Sequence, residues 1–407
     1  MKILLVHNYY GSSAPSGENQ VFEAERDLLL AFGHNVETLT RHSDEIRERG
    51  LGGALRGALA TPWNPWMARR VSRLVADFQP DVVHVHNSFP LISPAVFHAI
   101  GEGAAKVLTL HNYRLFCAAG IPLREGRVCT LCIDSHSSLP ALRHGCYRGS
   151  RAATVPLAAS VALHRALGTW RNRVDAFIAL SEFQRQRMAE GGLPAARVFI
   201  KPNFYPGNPA PLPWHEREDQ IVFAGRLTAE KGVATLVEAW RHWQGREGAT
   251  APRLTLIGDG PLRAGLAQAA SGLPVQFLGQ CSREETEDRI RRAKLLVLPS
   301  ECFEGFPMVI REALAFGTPV AVSDLGPLPA IVEHGVSGLV FPPADPGALA
   351  DTLAGVWRDG VALEALGRGA RAAFEAHYTQ ERNHEQLLGI YRAAMANVAR
   401  AREVSAS

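Results

Sequence analysis

Short apolar runs alternate along most of the chain with longer stretches in which apolar residues recur every three or four positions. The runs at residues 3–6, 82–85, 107–110, 176–180 and 198–200 are β-branched or leucine-rich and apolar on both faces, as strands of a parallel sheet covered by helices must be. A proline-dense segment at 201–213 interrupts the pattern, because proline supports neither helix nor sheet there. The alternation then restarts with runs at 221–224, 254–257, 275–278, 295–298 and 319–322. The spacing predicts an α/β protein of two Rossmann-like domains, at 1–205 and 206–380, with a helix-only tail at 381–407. In open parallel sheets ligands bind beyond the carboxyl ends of the strands, so two facing domains of this kind leave an interdomain cleft lined by loops.

Composition changes this picture in one respect. Of the 407 residues 46% are apolar and 20% charged, and 43 Lys and Arg against 40 Asp and Glu leave +3. That charge argues against a polyanionic partner and predicts no nucleic-acid binding. The balance is uneven: residues 1–205 carry 23 basic and 16 acidic side chains (+7), leaving 20 and 24 (−4) for the rest. Without a bilayer-length apolar run or a signal-peptide core, the expectation is a cytoplasmic protein.

The chemistry collects at strand ends. Gly225-Arg226-Leu227-Thr228-Ala229-Glu230-Lys231-Gly232 lies between a strand and a helix, where free N–H groups and the helix dipole favour an anion and two cations reinforce it. A diphosphate fits, although the Walker pattern is absent. A second segment, Pro299-Ser300-Glu301-Cys302-Phe303-Glu304-Gly305-Phe306-Pro307, opens an apolar helix that carries Glu312, with Pro307 predicted as its first residue. Glu304 and Glu312 are too far apart for a retaining hydrolase pair, and suit hydroxyls at two places on one extended ligand.

The Gly225-Arg226-x4-Lys231-Gly232 loop and Glu304-x7-Glu312 together resemble the signature of family 4 glycosyltransferases, retaining enzymes of the GT-B fold. The resemblance implies that Arg226 and Lys231 hold the diphosphate of a nucleotide-sugar donor and Glu312 its ribose. It gives Glu304 to a hydroxyl of the transferred sugar, with backbone groups near Gly305 and Phe306 as further donors. It also implies a phosphate contact at Gly17, in the loop Gly11-Ser12-Ser13-Ala14-Pro15-Ser16-Gly17-Glu18, and places His111 beside the donor sugar; Glu304 and His111 are the catalytic candidates. Catalysis in this family needs no metal cofactor. Asp259 follows a strand in Gly258-Asp259-Gly260, either as a turn residue or as a ligand contact.

An insertion at about 112–170 holds Cys117, Cys129, Cys132 and Cys146, spaced C-x11-C-x2-C-x13-C. This is enough for a structural zinc site, or equally for four ordinary thiols in a loop, with His136 and His144 as further ligand candidates. Residues 101–175 carry ten basic and four acidic side chains beside the apolar stretch 152–167. They predict either a surface that meets anionic lipid while presenting a glycan or lipid-linked acceptor, or a solvated basic face over a buried helix. The implied activity is a retaining transferase of surface polysaccharide or lipopolysaccharide biosynthesis. A sugar-nucleotide epimerase of GT-B-like fold and a nucleic-acid-binding protein are the alternatives.

Overall fold

The computed structural model describes residues 1–12, 16–48, 50–246 and 251–406. Among these, fourteen strands form two parallel six-stranded sheets and one small hairpin. The first sheet has the order β2-β1-β3-β4-β7-β8, built from β1 (Lys2–Tyr9), β2 (Asn35–His42), β3 (Val82–Asn87), β4 (Ala105–Leu110), β7 (Ala176–Ala179) and β8 (Val198–Ile200). The second has the order β11-β10-β9-β12-β13-β14, from β9 (Glu218–Ala224), β10 (Arg253–Ile257), β11 (Val275–Gly279), β12 (Ala293–Leu298), β13 (Val320–Ser323) and β14 (Gly338–Phe341). The hairpin pairs β5 (Leu123–Arg124) with β6 (Arg127–Val128).

The chain folds into two compact units, one of Met1–Pro122, Thr130–Pro202 and Glu381–Ser407, and another of Leu123–Cys129 and Asn203–Gln380. In the first unit Ile3, Leu5, Val82, Val107 and Ile178 of the sheet pack with Phe22 and Leu29 of the Gly17–Ala31 helix. Leu387, Ile390, Tyr391 and Ala394 of the Gln380–Ala406 helix enter the same core, so the end of the chain completes the domain that its start began. In the second unit every residue of β12 except Lys294 is buried, as a central parallel strand requires. Among the described residues, no helix is long and apolar enough to cross a membrane.

The apolar runs all became strands; most are one to four residues longer than the run, while β7, β8 and β13 are not. Edge strand β2 and the hairpin escape the apolar pattern; β2, Asn-Val-Glu-Thr-Leu-Thr-Arg-His, buries only Leu39 fully, whereas β14, a further strand, is apolar and mostly buried. The helix carrying Glu312 runs Met308–Ala315 with Pro307 as its N-cap, one residue later than the sequence suggests.

Candidate active site

The register of the second sheet brings two glycine turns together. Ala224 of β9 pairs with Ile257 of β10, so Gly225 and Gly258 leave adjacent strand ends side by side. Gly225 N–H donates to the Ile257 carbonyl at 2.9 Å and Leu227 N–H to that of Asp259 at 2.9 Å. A Cβ on Gly258, whose φ is +126°, would lie 2.0 Å from the Gly225 carbonyl oxygen, so only glycine permits this approach. Gly232, at φ +65°, caps the Val233–Gln244 helix, and a Cβ there would stand 1.8 Å from the Pro299 carbonyl oxygen. The loop and the Pro299–Pro307 segment are thereby locked together, and Glu301 N–H donates to the Glu230 carbonyl at 2.9 Å.

This locking produces a pairing that the sequence did not reveal. The Lys231 ammonium donates to Glu304 Oε1 at 2.7 Å, and Ser300 Oγ donates to the same oxygen at 2.6 Å. Burial works against the Lys231 charge, but the Glu304 carboxylate outweighs it and raises the lysine pKa. Arg226 is exposed and reaches Glu230 Oε1 at 3.1 Å. Both cations thus have carboxylate partners that an incoming diphosphate could replace. Cys302, beside them, is pushed up to about 12 by burial and the nearby carboxylates.

Glu312 is buried on the Met308–Ala315 helix, 4.0 Å from the guanidinium of buried Arg311. Burial raises its pKa, with Arg311 acting in the opposite direction. Arg311 is held in turn by the Phe204 carbonyl and lies 5.9 Å over the Tyr205 ring. Phe306 is buried against Tyr378, with ring centroids 5.4 Å apart, and fixes the chain where Gly305 turns. Asp259 accepts from Gly260 N–H at 2.7 Å and from Arg263 at 2.9 Å, the pattern of a turn residue.

In the first unit, Leu110 of β4 pairs with Ala179 and His111 follows at the strand end. Its Nε2 lies 3.1 Å from His86 Nδ1. Behind His86 is a buried cluster that the apolar pattern does not announce. His86 Nε2 lies 3.3 Å from Glu25 Oε1, an electrostatic contact rather than an aligned hydrogen bond. Lys201 donates to Glu25 Oε2 at 2.8 Å and to Asn383 Oδ1 at 3.2 Å. Burial disfavours the Glu25 anion, yet Lys201 and His86 hold its pKa well below the ordinary value. A carboxylate on the Nε2 side of His86 favours the proton there. His86 Nδ1 then accepts from His111 Nε2–H, and the His111 Nδ1 lone pair is left for a ligand. Burial and the neighbouring imidazoles keep His111 neutral by lowering its pKa well below the usual value.

Glu25, His84 and His86 are the one group of three such side chains, among the described residues, whose ligand atoms lie within 4.8 Å of one another. They do not fit a metal ion. The two nitrogens of His84 are engaged by Tyr391 Oη at 2.8 Å and Thr109 Oγ1 at 2.7 Å. The Lys201 ammonium already balances the carboxylate.

Gly17 is exposed at the start of the Gly17–Ala31 helix, where Ser16 Oγ accepts from Asn19 N–H. Ser13, Ala14 and Pro15 of that loop lie outside the described residues. Glu18 accepts from Asn112 Nδ2 at 2.7 Å. None of the six cysteines is in a disulfide. Cys132 lies in a small apolar cluster with Phe89, Ala118, Ala141 and Leu157, against which Cys146 and Tyr147 pack. Cys117 is near enough to Cys146 to feel its charge, although burial is the larger cause of its raised pKa. The apolar stretch at 152–167 forms the Arg151–Ala166 helix, which buries Leu157, Ala158, Val161 and His164 inside the unit. On its other face Val155 is 52% exposed, and Leu167 at its C-cap is 45% exposed.

Known proteins match both halves. Residues 218–359 match the family model described as glycosyl transferases group 1, and residues 26–206 the one described as glycosyltransferase family 4. The amylovoran biosynthesis glycosyltransferase AmsK of Erwinia amylovora is 31% identical over 180 residues, 42% of this chain and 44% of that protein. The sulfoquinovosyl transferase SQD2 of Arabidopsis thaliana is 22% identical over 401 residues, covering 92% of this chain and 71% of its own. The matches to an exopolysaccharide phosphotransferase of Streptomyces coelicolor and an uncharacterized glycosyltransferase of Methanocaldococcus jannaschii span 21% and 46% of those proteins, less than half of either. Among solved structures, the Anabaena Alr3699/HepE complex with UDP superposes with a TM-score of 0.63 at 19% identity, over 96% of this chain and 99% of that one. Sucrose-phosphate synthase from Thermosynechococcus elongatus gives 0.68 at 19% identity, over 97% and 99%.

Proposed function

This chain belongs to the family 4 glycosyltransferases, with the GT-B fold, and from that premise we propose that it is a retaining enzyme moving a sugar from a nucleoside-diphosphate sugar to a glycan or lipid-linked glycan acceptor. The product belongs to surface polysaccharide or lipopolysaccharide, built on the cytoplasmic side. The observation that carries the reading is the 2.7 Å pair of Lys231 and Glu304 beside the Gly225–Gly232 turn, which sets a diphosphate cation against a carboxylate suited to a sugar hydroxyl.

The sugar–phosphate C–O bond breaks as the acceptor oxygen bonds to the same carbon, and the departing phosphate oxygen takes the acceptor's proton on that face. Atoms and charge balance without a protein nucleophile. Arg226, Lys231 and the N-terminus of the Val233–Gln244 helix take the charge developing on the leaving diphosphate, so no metal is required. Glu312, beside Arg311, accepts from the ribose hydroxyls, while Gly305, Phe306 and Gly17 offer backbone N–H groups. His111, kept neutral and in one tautomer by His86 and Glu25, accepts from a hydroxyl of the transferred sugar.

A screen of nucleoside diphosphates and their sugars for protection against thermal unfolding is expected to pick out one base and one sugar. NMR of the transferred product should show the donor's anomeric configuration. Inversion, or release of an epimer from donor alone, would refute the reading.

For Cys117, Cys129, Cys132 and Cys146 the proposal is a structural zinc site that rests on their spacing; no three of their sulfurs lie within 4.8 Å of one another here, so the metal would have to draw them together. Elemental analysis should find one zinc per chain, lost with Cys129→Ser; metal-free wild type that folds normally would leave four ordinary thiols.

A further inference from the structure

Between Glu48 and Asp77 the chain has no carboxylate but carries Arg49, Arg56, Arg69, Arg70 and Arg73. Two helices of the first unit, Gly50–Ala60 and Pro65–Phe78, span this stretch. On the first, Leu55 and Leu59 are one turn apart and 64% and 70% exposed. On the second, Trp66, Arg69, Arg70 and Arg73 fall at helical spacing on the exposed face opposite buried Met67 and Val71, with Trp66 62% exposed. The Arg56 guanidinium lies 6.0 Å over the Trp66 ring and joins the two faces into one. Trp63, at the turn between the helices, stacks on His164, and the Pro62 carbonyl accepts from His164 Nε2–H at 2.8 Å, so the turn is anchored to the body of the unit.

We propose that this face seats the enzyme on an anionic phospholipid bilayer. Exposed leucine and tryptophan side chains gain by entering the headgroup boundary, and tryptophan favours that depth. The face is strongly basic, with Asp77, one turn beyond Arg73, at its end, and this excess matches an anionic leaflet, where each arginine adds about 1 kcal/mol, roughly fivefold in affinity. The surface differs from the 152–167 stretch, where Leu157, Ala158 and Val161 turn inward and Val155 is exposed, in that its exposed aromatic is framed by arginines. The inference deepens the lipid-linked acceptor reading, since it names the lipid that would surround such an acceptor. It is measured without donor or acceptor, so either can fail alone.

The test is sedimentation of the full chain with vesicles of phosphatidylcholine alone and of phosphatidylcholine mixed with phosphatidylglycerol. The wild type should bind the mixed vesicles, much less the neutral ones, and release as salt rises. Arg56→Gln, Arg69→Gln, Arg70→Gln and Arg73→Gln combined should weaken binding by roughly several hundredfold. Leu55→Ser, Leu59→Ser and Trp66→Ser combined should weaken it at least about tenfold. All these side chains are exposed, and circular dichroism melting should be near that of the wild type in both variants. No binding to the mixed vesicles, or binding that neither set of substitutions lowers, overturns the proposal. An acidic protein partner for this face would leave the vesicle assay blank.

Discussion

Lys231→Ala is expected to weaken nucleoside-diphosphate binding by roughly ten- to a hundredfold, the loss of one charge-assisted contact of about 1.5–3 kcal/mol. Isothermal titration with the diphosphate chosen by the thermal screen measures it. The 2.7 Å pair with Glu304 makes the outcome of the reciprocal change distinctive. Glu304→Ala removes the carboxylate that occupies the ammonium when no ligand is bound, so affinity for the free diphosphate should hold or rise while sugar transfer falls by about a hundredfold or more. A purely structural ion pair predicts the opposite: both variants would lose stability and binding alike, and Lys231→Ala combined with Glu304→Ala would restore them. Arg226→Ala, with its exposed side chain, should lower affinity with little change in melting temperature. Unchanged affinity in both cation variants would remove the diphosphate assignment.

These pairings mark where the sequence stops being informative. Central strands are readable because burial on both faces demands an unbroken apolar run, as in Leu295-Leu296-Val297-Leu298. β2 is an edge strand with one neighbour, and its mixed composition carries no such demand; β14, Gly-Leu-Val-Phe, is apolar but only four residues long. Arg226, Lys231, Glu304 and Glu312 were legible as a set through their motif spacing. That Lys231 touches Glu304 was not, because contact across 73 residues depends on Gly232 admitting the Pro299 carbonyl. The Glu25, His84, His86 and Lys201 cluster was missed for a different reason. Lys201 opens the proline-dense segment and reads as linker, and Glu25 reads as the polar face of an amphipathic helix. One signal was available: Val-His-Val-His-Asn at 83–87 puts His84 and His86 on the same side of a central strand, a costly place for two imidazoles without partners. At 152–167 apolar composition does not say which face of the helix meets the core: Leu157, Ala158 and Val161 do, and Val155 does not.

Acidification is expected to unfold the first domain from below about pH 6.5, well before ordinary carboxylates titrate. Burial holds His7 down to about 3 and His84 and His164 to about 4, against an ordinary value of 6.5. A histidine whose folded pKa is lowered stabilises fully above 6.5; as pH falls the unfolded chain takes up its proton while the folded chain refuses it. Three such groups make the unfolded state bind up to three more protons, a slope of about 4 kcal/mol per pH unit at its steepest. Between pH 7.5 and 5.5 the loss comes to about 4 kcal/mol, a large part of the roughly 5–15 kcal/mol by which domains are stable. His111 shifts in the same direction and adds to it. Glu25 contributes in a lower window, because its carboxyl is held ionised in the fold and its contribution is lost only below about pH 4.5, as the unfolded carboxylate protonates first. Urea unfolding followed by tryptophan fluorescence at stepped pH measures the slope. His84→Gln, which can still meet Tyr391 and Thr109, should remove about one proton from it. Stability that stays flat from pH 7.5 to 5.5 would mean that these imidazoles are not buried uncharged, and the neutral, single-tautomer His111 on which the proposed sugar contact depends would go with them.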